Sequence, residues 1–355
     1  MENTQYFIDR EKNRNKSYLE DGNPNRYVFV LTNKCNLSCS FCFQDRKGLP
    51  NSMSAEDWIN LSEKLENGSH ITLTGGEPLA FRGFKEVFQH ISGRHTINII
   101  CNGVLLNHDL ADLFCSTPNM KVLSISVDTV GNYNRGVKPS DYQRMKETLS
   151  YLAKKREIFN SDLIIDTKTV VTDLDSHNLF EIYKHCVEDL YSDSHSFQFF
   201  KGSPIQHSDK MFEYESIFEK PDPYEYTTID CIAKEFDKIR EYCINYKTKC
   251  FSHPKFIDFG DRNQNYKELL INFMNKQIFN SDDYMPCKGP WESVHVNADG
   301  KIFPCLAIDF GDVRNFSNIS EIFEQEIVNS FRSTIRKCGT VQACHRCGYL
   351  KLKKD

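Results

Sequence analysis

Three cysteines crowd into one short stretch of this 355-residue chain: Cys35, Cys39 and Cys42, spaced C-x3-C-x2-C. They follow the apolar run Tyr27–Leu31, so a strand ending in a tight loop would turn all three sulfurs toward one point. Thiolates in such an array bind zinc or iron–sulfur clusters. A four-iron cluster takes four thiolates, so three leave one iron open to another ligand. Structural zinc takes four protein ligands, typically from two close pairs, and the triplet falls one short.

A second stretch, Thr74-Gly75-Gly76-Glu77-Pro78, comes directly after the strand-like Ile71–Leu73. Two glycines let a backbone approach a ligand closely, and Glu77 offers an acceptor to an ammonium. Taken alone it is only a turn. One strand–helix unit after the cysteines, it makes the chain resemble the radical S-adenosylmethionine (SAM) superfamily. The resemblance implies a [4Fe–4S] cluster on Cys35, Cys39 and Cys42, with SAM on the open iron. It also implies that Gly75, Gly76, Glu77 and Pro78 hold the methionine amino group, with Phe41 beside the adenine. Such enzymes pass one electron to the sulfonium, and the resulting 5′-deoxyadenosyl radical takes a hydrogen from an unactivated substrate carbon. The cofactor carries this chemistry, while the protein orients it and excludes water. An electron donor such as flavodoxin or ferredoxin is implied as a partner.

The last third holds another constellation: Cys287, then Cys305 after seventeen residues, then Cys344-His-Arg-Cys347. Four cysteines can fold a zinc ribbon, although only Cys344 and Cys347 form a close pair. Beside the upstream motifs, the set resembles the SPASM/twitch extension of radical enzymes, implying an auxiliary [4Fe–4S] cluster with every iron bound by protein. Cys338 is a further candidate ligand. Val294–Phe303 resembles the hairpin of that extension, with Asp299-Gly300 as a two-residue turn signal.

These residues need a frame. Met53, Ser54 and Trp58 mark a stapled, N-capped helix that Leu61 and Leu65 continue. Further strands are expected at Ile97–Cys101, Val122–Val127, Leu163–Val171 and Ser196–Phe200. Helices are expected around Phe84–Ile91, Leu106–Cys115 and Leu179–Val187, with a Ser140/Gln143 capping box opening another. Six β/α alternations predict an α/β fold, a partial (β/α)6 TIM-like barrel, open because closure needs two more units. The expected divisions are a polar N-terminal lead (1–25, a flap or disordered), the barrel (26–228), a helical connection (229–286) and a small auxiliary-cluster (twitch) domain with its β-hairpin (287–355). The stretch 202–228, rich in proline, charge and aromatics, reads as an inserted loop of the kind that often binds substrate.

Ligands of such sheets lie at the strands' C-terminal ends. The resemblance assigns Ser126, Asp128 and Lys168, polar residues at such ends, to the cofactor's ribose and carboxylate. A substrate radical can lose an electron to the auxiliary cluster or take a hydrogen from a thiol, for which Cys101 and Cys231 are candidates. The products are then oxidised, cross-linked or epimerised. Two substrate classes stand open: a ribosomally made peptide, or a small molecule such as an aminocyclitol, sugar or nucleotide. Only 34 residues precede Cys35, which tilts the balance slightly toward small molecules. Fourteen cysteines without a signal-peptide core suggest a reducing, cytoplasmic setting, and no 18-residue apolar run suggests a membrane. A net charge of −5 argues against a nucleic-acid partner. The non-enzyme alternative is an iron–sulfur or zinc-binding regulatory protein on the same scaffold.

Overall fold

A computed structural model describes residues 2–42, 51–200, 213–219, 225–274, 281–304, 308–345 and 347–353, apart from the side chains of residues 2–7. Nine strands form one sheet: β1 (Arg26–Val30), β2 (His70–Thr74), β3 (Thr96–Cys101), β4 (Met120–Ser126), β5 (Ile164–Val171), β6 (Ser194–Phe199), β7 (Cys250–His253), β8 (Ser293–Val296) and β9 (Ile302–Phe303). Their order is β7-β6-β5-β4-β3-β2-β1-β8-β9, an open sheet in which β1 to β8 pair in parallel and only β9 runs antiparallel, against β8.

The helices are α1 (Glu2–Glu20), α2 (Ala55–Glu63), α3 (Phe84–Ser92), α4 (His108–Ser116), α5 (Pro139–Ile158), α6 (Leu179–Asp189), α7 (Ile229–Tyr246), α8 (Lys267–Met274), α9 (Gly289–Glu292), α10 (Ser320–Phe323) and α11 (Glu326–Cys338). Strand alternation sorts the sheet's two faces. Tyr27, Phe29, Ile71, Leu73, Ile97, Ile99, Leu123 and Ile125 are buried on the helix side, where Phe29 meets Trp58 of α2 at 4.9 Å between ring centres. The opposite face carries Arg26, Thr72, Ser124, Asp166, Lys168 and Ser194, and it is polar: Ser124 and Ser194 donate to Asp166 at 2.9 and 2.7 Å.

The α2 expectation holds. Ser54 accepts from the Asp57 N–H at 3.1 Å, Asp57 accepts from the Ser54 N–H at 2.8 Å, and Met53 and Trp58 are both buried. The capping box at Ser140 does not form: Lys138 is the N-cap and Pro139 takes the first helical position, its fixed φ starting the helix earlier. Gln143 donates instead to Glu147 one turn on.

Three other expectations change. Residues 2–20, taken for a flap or disordered lead, form a helix packed on α9. The segment 229–286, expected as a helical connection, also supplies β7, the seventh parallel strand. The C-terminal hairpin exists, but its turn spans five residues, Asn297 donating to Lys301 at 2.8 Å, and β8 joins the main sheet beside β1. No helix among the described residues is long and apolar enough to cross a membrane.

Candidate active site and second cysteine site

The cysteine loop leaves the C-terminal end of β1, and the Gly-Gly-Glu turn leaves the neighbouring end of β2. Backbone bonds lock them together: Gly76 donates to Thr32 at 2.7 Å and Glu77 donates to Lys34 at 2.9 Å. A Cβ on Gly75 would lie 2.4 Å from the Thr32 oxygen, and one on Gly76 would lie 2.3 Å from the Lys34 oxygen. In this structure the room that the glycines leave is filled by Thr32–Lys34, the run-in to Cys35, rather than reserved for a ligand. The three cysteines are half-buried.

Glu77 caps the short turn Pro78–Ala80 and is fully buried. Its carboxylate accepts from the Leu79 N–H at 3.1 Å and from the Asn102 N–H at 2.7 Å. Burial pushes its carboxyl up to about 7 against those two bonds and the more distant Arg135. Asn102 lies just past the end of β3. Its amide donates to the Cys35 sulfur at 3.8 Å and to Asn36 at 2.8 Å, so one residue ties Glu77 to the cysteine loop.

Arg135 is the residue that sequence reasoning missed altogether. Its Nε donates to Asp128, its Nη1 donates to the Cys39 sulfur at 3.8 Å, and its guanidinium lies 5.3 Å from the centre of the Phe41 ring. Asp128 is buried and also accepts from the Val170 N–H at 2.5 Å; burial raises its carboxyl while Arg135 opposes the rise. No local pattern marks Arg135, because its partners lie up to 96 residues away. Ser126 ends β4 and is half-buried, with its carbonyl accepting from Asn132 at 3.0 Å. Lys168 faces it in register and pairs with Asp166 at 2.8 Å. Burial would raise the Asp166 carboxyl, but Lys168 and the two serine hydroxyls hold it below the usual range.

The two thiols considered as hydrogen donors separate. Cys101 is buried with Ile97 and Ile99 on the helix side of β3, and burial pushes its thiol well up. Cys231 is half-buried in the first turn of α7.

The second site gathers at the chain's C-terminal end. Cys344 and Cys347 are buried, and Cys287 is half-buried. Burial, with Cys347 nearby, pushes the Cys287 thiol up to about 12. Cys305 lies outside the described residues; Cys338 is exposed at the end of α11. A shared local device appears at both sites. The N–H two residues on points at the sulfur: Leu37 to Cys35 at 3.4 Å, Gly289 to Cys287 at 3.3 Å, Tyr349 to Cys347 at 3.4 Å. Donors aimed at sulfur stabilise thiolates and fit a cluster, whose potential such bonds help set. Among the described residues no three His, Cys, Asp or Glu side chains converge on a single metal ion.

Comparison with known proteins adds the family. Residues 29–168 match the radical SAM superfamily, and residues 287–348 match an iron–sulfur cluster-binding domain, SPASM. The sporulation killing factor maturation protein SkfB of Bacillus subtilis is 38% identical over 120 residues, 33% of this chain and 28% of SkfB. GTP 3′,8-cyclase of Aquifex aeolicus is 32% identical over 111 residues, 28% of this chain and 34% of that protein. The chain thus spans about a third or less of these relatives' length. In fold it is similar to Streptococcus suis SuiB bound to the precursor peptide SuiA, with a TM-score of 0.62 and 14% identity, covering 94% of this chain and 74% of SuiB. It is also similar to anSMEcpe with bound AdoMet and a peptide, with a TM-score of 0.56 and 17% identity, over 92% and 88% of the two chains.

Proposed function

Because this chain carries a radical SAM domain and a C-terminal SPASM domain, both of which bind [4Fe–4S] clusters, we propose that it is a radical SAM enzyme that modifies a ribosomally made peptide. The observation that carries the reading is the convergence of three neighbouring strand ends on the cysteine loop. Gly76 and Glu77 after β2, Asn102 after β3, and Asp128 with Arg135 after β4 all fix the loop that leaves β1.

When bound, the cluster and SAM supply a one-electron reduction and a hydrogen-abstracting 5′-deoxyadenosyl radical, with the electron coming from a donor such as flavodoxin or ferredoxin. The chain's own residues set the stage for that chemistry. Cys35, Cys39 and Cys42 hold the first cluster. Glu77 pins β2 to β3 beside the cysteine loop. Arg135 puts a fixed positive charge beside Cys39 and covers one face of Phe41. Cys287, Cys305, Cys344 and Cys347 would hold the auxiliary cluster, which would supply an electron acceptor or a structural support.

Peptide rather than small molecule is favoured by two things. SuiB and anSMEcpe, which match nearly the whole chain, were both solved with peptides. The loops after β4 and β5, joined by Asn134 donating to Asp175 at 3.0 Å, also expose Tyr133 and Leu174 at the strand ends. Those apolar side chains suit a peptide better than a sugar. The test is anaerobic: reduced, reconstituted protein with SAM and the short peptide encoded nearest its gene, deuterated at carbon. Deuterium in 5′-deoxyadenosine is expected, and Cys39→Ala should abolish it. A loaded wild-type protein that cleaves no SAM overturns the enzyme reading; SAM cleavage with deuterium transfer only from a small metabolite overturns the peptide reading.

A further inference from the structure

Cys287 opens the arm Cys287–Glu292, and that arm is gripped by the N-terminal helix, nearly the whole chain away in sequence. Glu292, buried, accepts from Arg10 at 2.9 Å and from Arg14 at 3.3 Å. These arginines are four residues apart, so they share one face of α1. Lys288 donates to Asn15 at 2.7 Å and lies 5.2 Å from the Tyr18 ring centre. Trp291, fully buried, donates to Asp21 at 2.5 Å and meets Tyr18 edge-on at 5.0 Å. From α11, Arg336 stacks on both rings at 4.7 and 4.6 Å and donates to the Tyr18 carbonyl at 2.7 Å.

The arm needs holding. Two ligands of the second site, Cys344 and Cys347, sit on one turn, but Cys287 comes from a separate segment and must be brought to them. Its backbone makes one bond to the neighbouring chain, donating to Gly339 at 2.9 Å. Glu292 stays ionised because, although burial works against it, Arg10, Arg26 and Arg14 hold its carboxyl below the usual range. The buried ion pair therefore fixes the arm's far end.

We infer that α1 is part of the auxiliary cluster site: Arg10 and Arg14 are positioning residues that hold the Cys287 arm through Glu292. This rests on the reading that the second cysteine set binds a four-iron cluster.

The experiment uses the full chain, reconstituted anaerobically with iron and sulfide. Wild type should hold about eight irons, four per cluster. The double variant Arg10→Gln/Arg14→Gln should fall to about four irons and lose the second cluster's paramagnetic signal. It should retain the first cluster's signal and SAM cleavage, which report that the barrel is folded. Arg10→Lys/Arg14→Lys, keeping both charges, should recover the second signal. A Gln variant with eight irons and unchanged reduction potentials at both clusters overturns the inference. Loss of both clusters together also overturns it, since α1 would then support the whole fold. A wild-type protein that holds only four irons sinks the two-cluster reading itself and the inference with it.

Discussion

Glu77 gives the most direct physical test, because its burial has a pH signature. Desolvation pushes the carboxyl from 4.5 to about 7, against its two N–H bonds and the charge of Arg135. In the folded chain it therefore keeps its proton at pH values where the unfolded chain has lost it. A raised carboxyl contributes stability that is complete below about 4.5 and disappears as the pH rises through about 7. Holding the carboxyl that far above 4.5 makes its ionised form cost about 3 kcal/mol in the folded chain. Glu77→Gln removes that titration. The amide oxygen can still accept one of the two N–H bonds, and the NH2 facing the other N–H costs roughly 1–3 kcal/mol at every pH. The assay is the urea midpoint of both proteins, prepared without iron, at half-unit steps from pH 5 to 8. Wild type should lose about 2.5 kcal/mol relative to the variant across this range, most of it before pH 7. Two stability curves that stay parallel from pH 5 to 8 would refute the buried, protonated Glu77, and with it the view that desolvation dominates at this turn.

Two further predictions test the loop's supports. Gly76→Ala puts a methyl 2.3 Å from the Lys34 oxygen, so the cysteine loop must shift; a loss of about 3 kcal/mol or more in the iron-free melt is expected, with poor incorporation of the first cluster. A Gly76→Ala protein that loads the first cluster normally removes the docking role given to that glycine. Arg135→Gln leaves Asp128 buried without its cation at a cost of roughly 3–5 kcal/mol, and Arg135→Gln/Asp128→Asn should regain much of it. The same double variant should lower the first cluster's reduction potential, seen by redox titration, and additive losses with no change of potential would refute the assignment.

Much of this arrangement is legible in the chain's pattern, and the parts that are not share a cause. The apolar runs ending at Leu31, Leu73, Cys101 and Val127 alternate with helical stretches, and the strands form where those runs predict. The glycines and cysteines are conspicuous because few residue types can do their work. By contrast, α1 reads as polar lead because its stability lies in partners such as Glu292 and Trp291, which no local window contains. Strand β7 is four residues long, with Phe251 exposed, too short for its alternation to register. Arg135 is an ordinary loop arginine until β4 and the cysteine loop fold beside it. Ser140 and Gln143 show the reverse failure, a good local signal overruled by one proline.

The placement of β8 changes how the two cysteine sites relate. A division at residue 287 suggests an appended domain, yet β8 pairs with β1 over Arg26–Phe29, the strand that delivers the first cysteine loop. The chain leaving that loop is bonded to the C-terminal hairpin. Met53 donates to the Ala298 carbonyl at 2.7 Å, and Arg314 donates to the carbonyls of Asn51 at 3.1 Å and Asp299 at 2.7 Å. Each cysteine site therefore borrows support from the other's segment of the chain. The hairpin braces the exit of the first loop, while α1, which leads into β1, grips the Cys287 arm of the second. Such reciprocal support ties the placement of each cysteine site to the folding of the segment that carries the other.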